Sequence, residues 1–256
     1  MSSYHLHITN KNYSSWSLRP WLLMKELSLP FEEHLHPLAP GSGYRQPQWK
    51  SFSPVCHVPC LHYHHPPSGS SDPIILWESL AIVEFLHEQF PNSRIYPDSL
   101  PARAWARSAV AEMHAGFGSI RQEMGMNVSI RVELSDEAFN EGLVKDLRRI
   151  NEVWEEGLAK FGGPFLAGGE FGAVDAFFAP VVLRLGSYLG AAERFLGERA
   201  KGYMERINGL EGVREWVAAG VKEKERHEAH EVESLEGPGR KLVRDLREEE
   251  QSSGRA

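Results

Sequence analysis

The chain is short of cysteine, of surplus positive charge and of long apolar runs. Only Cys56 and Cys60 occur among 256 residues, too few for a disulfide framework and suited to a reducing compartment. No apolar run approaches the ~20 residues that span a bilayer, so a membrane is not an expected partner. Lys and Arg number 28 against 35 Asp and Glu, a net charge of −7. A phosphate-binding surface needs a clustered cationic excess, so nucleic acid is not expected either. The opening "MSSYHLHITN" has neither the cationic start nor the apolar stretch of a secretory signal. A cytoplasmic protein is the expectation, and no repeat of fixed period is visible.

What remains is ordinary globular material, 41% apolar and 25% charged, long enough for one large domain or two modest ones. Residues 1–90 alternate strand and helix signals. "YHLHIT" (4–9), "FEEHLHPL" (31–38), "VPCLHY" (58–63) and "IILW" (74–77) read as strands. Helical spacing runs over 16–27 and 78–89. "PPSGSSDP" (66–73) reads as a turn-rich loop, and "FPNSRIYPDSLP" (90–101), with three prolines, as a linker. Beyond it strand signals vanish. Residues 102–124, 137–161, 174–189 and 200–218 read as helices, giving an all-helical domain over 102–221. The tail 222–256 is rich in charge and poor in large apolar groups, which predicts a solvated extension, partly helical and partly disordered. The fold class is therefore α/β followed by all-α, a mixed four-stranded sheet with flanking helices and then a helical bundle.

Three short segments stand where chemistry is possible. "NYSSWSLRPW" (12–21) puts three hydroxyls at a strand-to-helix junction, where serine either caps the helix or holds an anion. Pro59 precedes a strand, and a cis Val58–Pro59 bond would turn the Val58 backbone outward toward an extended ligand. "ES" (78–79) opens a helix, where Ser79 either caps it or holds a carboxylate while Glu78 receives an ammonium.

"SSWSLR", "VP" and "ES", in that order and followed by a helical domain, resemble the glutathione transferases. "GPFLAGGEFGAVDAFFAPVV" (163–182) is similar to the motif that starts a buried helix in that family's second domain. The likeness covers roughly residues 4–220, and the serine-type zeta or maleylacetoacetate-isomerase group is the most similar. The resemblance implies a thioredoxin-like first domain, glutathione as substrate or cofactor, a small electrophile and a homodimer. It makes Ser14 the first candidate to stabilise the glutathione thiolate, with Ser15 beside it and Ser17 behind both. Trp16 stands where the zeta pattern has cysteine. Trp16, His57, Val58, Pro59, Glu78 and Ser79 are the implied glutathione contacts. Met113, His114, Phe117 and Arg121, with Ser119 and Met124 nearby, are the implied wall of the second pocket. Asp175 matches the motif aspartate, and Gly172 replaces the usual hydroxyl cap. Arg19 pairs with a carboxylate within the fold or raises the local positive potential.

The chemistry is consistent. A free thiol has a pKa of about 8.5, and a hydroxyl at a helix N-terminus favours the thiolate through a hydrogen bond and the helix dipole. Transfer and cis–trans isomerisation use the same thiolate. A non-catalytic binding protein on this fold is the alternative from another class. "CHVPCLHYHH" (56–65) invites zinc, but its candidate ligands crowd one strand and cannot surround an ion. No metal is expected.

Overall fold

The computed structural model describes residues 2–39, 41–43, 45–65 and 72–253. Most of the turn-rich loop 66–73, and the last three residues of the tail, lie outside them. Strand β1 (Ser3–Ile8) turns Tyr4, Leu6 and Ile8 to the core and its odd residues the other way. Then follow α1 (Ser15–Glu26), β2 (Glu32–Leu35), a 3-10 turn at Pro47–Ser51, β3 (Cys60–His64), β4 (Ile74–Trp77) and α2 (Ser79–Gln89). The sheet order is β2-β1-β3-β4. The β1–β2 pair is parallel and the other two are antiparallel. A parallel pair needs a crossover, which α1 supplies. Leu18 and Leu22 of α1 join Ile82 and Leu86 of α2 and Leu6, Ile8 and Leu61 of the sheet in one buried cluster.

No helix or strand covers 91–99, and the next helix begins at Leu100, inside the expected linker. The second half contains α3 (Leu100–Ala115), α4 (Gly118–Glu123), α5 (Glu141–Phe161) and α6 (Ala173–Ser187). It continues with α7 (Ala191–Phe195), α8 (Glu198–Gly209) and α9 (Glu211–Lys222), and ends with α10 (Glu228–Leu235) and α11 (Leu246–Ser253). Helix α6 is the buried centre and packs on α1 and α3. At its start Asp175, fully buried, accepts backbone N–H groups from Leu166 and Gly172 at 3.0 Å each. Burial pushes its carboxyl up to about 7 against those two bonds. Glycine at 172 has a local reason: a Cβ there would lie 3.0 Å from the Ile95 carbonyl oxygen.

Three expectations need correction. The single helix over 102–124 breaks at Gly116 and Phe117, where Phe117 adopts φ 58°, and restarts as α4. The second half also contains strands β5 (Ile130–Leu134), β6 (Tyr188–Leu189) and β7 (Arg240–Asp245), in the order β6-β5-β7. Only β5, with Ile130, Val132 and Leu134 buried, carries the alternation a strand shows in sequence. The third correction is the tail. Its described part is folded onto the domain, with His227, Ser234, Asp245 and Arg247 buried.

Candidate active site

The N-terminus of α1 separates the roles of its serines. Ser14 is the N-cap: its Oγ accepts the Ser17 N–H at 3.2 Å and donates to the Ser17 hydroxyl at 2.8 Å. That proton is spent inside the helix end. Ser17 is fully buried and also accepts the Thr9 N–H at 3.4 Å. Ser15, the first helical residue, accepts a hydrogen bond from Arg184 at 3.3 Å. Its own proton is therefore directed elsewhere, next to the positive end of the helix dipole. Where sequence ranks Ser14 first, the hydrogen bonding leaves Ser15 as the hydroxyl able to donate to a ligand.

Both serines line a cavity of about 720 Å³ between the two halves of the chain. Trp16, His57 and Val58 line it as well. The Val58–Pro59 bond is cis and Pro59 is buried behind it. His57 is exposed, its Nδ1 2.8 Å from the Val55 carbonyl. Trp16 lies under two guanidinium groups, Arg19 at 4.1 Å and Arg121 at 4.8 Å from the ring centroid. Burial lowers the Arg19 and Arg121 pKa values, and lowers Arg184 to about 10, still charged at neutral pH. Among the described residues none of these three arginines makes an ion pair. Arg121 and Arg184 line the cavity, together with one carboxylate, Glu233.

Glu78 and Ser79 stand outside the cavity lining but beside this cluster. Glu78 has φ 71°, a left-handed conformation that costs a non-glycine residue about 1–3 kcal/mol. It caps nothing with its side chain, and its carboxylate lies 3.9 Å from His114. Ser79 is fully buried at the first position of α2, its hydroxyl without a partner among the described residues. The capping role open to Ser79 in the sequence is not the one it has.

Of the second-pocket candidates, Arg121 alone lines the cavity. Its guanidinium donates to the carbonyls of Met113 and His114. Met113 and Phe117 are core residues, Phe117 packing on Phe178, and Met124 is fully buried. His114 stands edge-on to Trp16 at 5.3 Å, and burial lowers its pKa. Ser119 is not in the lining. The helix break is the cause. Restarting at Gly118 resets the phase, so Gly118, Arg121 and Gln122 share the cavity side at i, i+3 and i+4.

Sequence reasoning also missed a wall. His230 and Glu233, from the charged tail, line the cavity with Tyr13 and Arg184. The Tyr13 hydroxyl donates to Glu231, and Arg247 grips the same carboxylate with two bonds of 2.8 and 3.0 Å. His230 stacks on Tyr13 at 4.7 Å. Further back, Glu223 accepts the backbone N–H groups of Lys11 and Asn12 at 2.6 and 3.3 Å. The only sequence trace is the placement of acids, arginines and histidines in a segment that looks merely solvated.

Residues 13–89 match the model for the N-terminal domain of glutathione S-transferases, and residues 136–219 match that for the C-terminal domain. The chain is 29% identical over 182 residues to glutathione S-transferase GstB of Escherichia coli K12, covering 68% of this chain and 80% of that protein. It is 30% identical over 176 residues to the glutathione S-transferase-like protein OpS6 of Beauveria bassiana, covering 65% and 74%. In three dimensions it is similar to glutathione transferase Omega 2S of Trametes versicolor, solved in complex with 2,4-dihydroxybenzophenone. That match has TM-score 0.63 and 18% identity, and covers 86% of this chain and 95% of the other.

Proposed function

The chain belongs to the glutathione S-transferase family, and from that premise we propose that it is a serine-type transferase acting on a small electrophile. Glutathione lies in the cavity with its sulfur at the N-terminus of α1, and the Ser15 hydroxyl donates to the thiolate. The observation that carries this reading is the contrast between the two serines: Ser14 has spent its proton on Ser17, whereas Ser15 accepts from Arg184 and keeps its proton for a ligand. A hydrogen bond and a helix dipole together favour the thiolate by about two pKa units, roughly 2.7 kcal/mol. The Val58 backbone pairs with the cysteinyl part. Glu78 and the buried Ser79 hydroxyl, which has no partner among the described residues, take the γ-glutamyl end beside the cavity. His57 faces the glycyl end.

The electrophile enters beside Arg121 and Gln122, under His230 and Glu233. Because Arg121 and Arg184 line the cavity without ion-paired partners among the described residues, an electrophile bearing a carboxylate fits this end best. The same feature favours, as a second reading, glutathione-dependent isomerisation of a maleyl compound. There the thiolate adds to a double bond, the bond rotates and the thiol leaves. A homodimer is part of the proposal, supported by the exposed apolar strip Ile74, Ile75 and Trp77 on the edge strand β4. So is a cytoplasmic location, which the two free cysteines suit. No helix among the described residues is long and apolar enough to cross a membrane.

Glutathione-agarose retention, with turnover of chlorodinitrobenzene and maleylacetone, tests the reading. Ser15→Ala is expected to lower turnover roughly 20-fold at neutral pH as the thiol returns toward its free pKa, with retention kept. Unchanged turnover in Ser15→Ala would reject the serine mechanism. Absence of both retention and turnover in the parent protein would leave the non-catalytic binding protein.

A further inference from the structure

Three neighbouring strands each carry a histidine–x–histidine pair: His5 and His7 in β1, His34 and His36 at β2, His62 and His64 in β3. The period-two alternation sends all six imidazoles to the sheet face opposite Leu6, Ile8 and Leu61. The inner members are covered or engaged. Phe52 stacks on His7 at 4.6 Å and on His36 at 4.2 Å, and its carbonyl lies 2.7 Å from His62 Nε2. The outer pair is not covered by Phe52. There His5 Nδ1 lies 3.0 Å from His34 Nε2, and Glu32 reaches both, one oxygen 3.5 Å from His5 and the other 3.4 Å from His34.

We propose that His5, His34 and Glu32 bind a divalent transition-metal ion of the zinc type on this outer face of the sheet. Ligands about 2.0–2.1 Å from a tetrahedral zinc stand about 3.3 Å from one another. Here the two nitrogens are 3.0 Å apart, and each is 3.4–3.5 Å from a different oxygen of Glu32. One donor atom from each residue falls within 4.8 Å of the other two, so a rotation of the exposed Glu32 carboxylate completes the set. The donor set, two imidazoles and a carboxylate, is one that zinc accepts, with a fourth position left to water. The second ring nitrogen of His5, Nε2, is 3.1 Å from the Ser3 hydroxyl, the kind of outer contact that orients a ligating histidine. The site differs in kind from the four-ligand cluster that "CHVPCLHYHH" invites: the cysteines of that segment are buried, and the donors of the proposed site come from two parallel strands. An ion here joins the edge strand β2 to β1. It does not touch the glutathione cavity.

The test uses tag-free full-length protein, titrated with Zn²⁺ by calorimetry and with Co²⁺ as a visible-absorption probe. One equivalent is expected to bind, with tetrahedral Co²⁺ bands, and to raise the melting temperature; Mg²⁺ is expected to do neither. His34→Ala and Glu32→Gln are each expected to weaken binding by more than the ~10-fold typical of losing an outer-shell partner, and Ser3→Ala by about that factor. His87→Gln, distant from the site, leaves affinity unchanged. Circular dichroism verifies that each variant is folded, and His34→Gln replaces His34→Ala if that one is not. The proposal fails if the parent protein shows no saturable binding, or if folded His34 and Glu32 variants bind as tightly as the parent.

Discussion

The two sheets of this protein hold together by different means. In the first, Tyr4, Leu6, Ile8 and Leu61 face a helical layer, so burial of alternating apolar residues keeps the strands in register. In the second, β7 leaves apolar positions such as Leu242 and Val243 exposed to solvent and is anchored at its end by charge. Arg247 is buried against Asp245 and Glu231, and Glu231 in turn receives the Tyr13 hydroxyl from the loop before α1. A charged segment need not be a solvated one. When its charges find each other and a buried tyrosine, they dock it without an apolar stripe.

The largest expected effect comes from breaking that anchor. Arg247→Ala leaves the largely buried Glu231 and Asp245 without their shared cation, a loss of about 3 kcal/mol. Hydrogen exchange is expected to show β7 and α10 opening while amides of β1 and β3 keep their protection. Equal loss in both sheets would mean that the two regions unfold as one unit.

Acid is the next tool. Burial, then the neighbouring His227 and Arg184, hold the His230 pKa down to about 3, against 6.5 when free, with Glu231 opposing them. Below pH 6.5 the unfolded chain takes up a proton that docked His230 refuses. Its contribution is therefore fully present above about pH 6.5 and falls as the pH drops toward 3, by at most about 1.4 kcal/mol per unit. Melting curves between pH 7.5 and 5.5 are expected to flatten in His230→Gln. An unchanged slope in that variant would assign the acid sensitivity to other groups, such as His7, also held down to about 3 by burial.

The smallest effect is at the helix end. Ser14→Ala removes a cap worth about 1 kcal/mol and is expected to lower stability by that amount while turnover falls less than in Ser15→Ala. Thermal melts and a chlorodinitrobenzene assay on the two variants separate the cap from the thiolate donor.

Legibility followed the same divide. The strands of the first sheet, α1, α2 and the buried start of α6 are visible as local patterns, because each carries its own periodicity. The segments "SSWS", "VP" and "ES" are visible as motifs, while the cis state of the Val58–Pro59 bond is only what the resemblance implies. The helix break at Gly116 is not, since the apolar spacing runs on through it, and with it went the assignments of Met113 and Phe117 to the second pocket. The histidines of "HLH" in β1 and of His34 and His36 are plain in the sequence. Their meeting is not, because it depends on strand register.

The sequence by itself determined the element order of the first domain, the family resemblance and the serine-rich helix end, since these are set by residues close together in the chain. Tertiary structure decided which serine caps the helix and which meets Arg184, what closes the cavity and which histidines stand together. Each of those depends on a partner far away: Arg184 for Ser15, Glu231 and Arg247 for Tyr13, and β2 for β1. Hydrogen bonds and charges act over a few ångströms in space and carry no periodic signal along the chain, so only the folded molecule brings them to view.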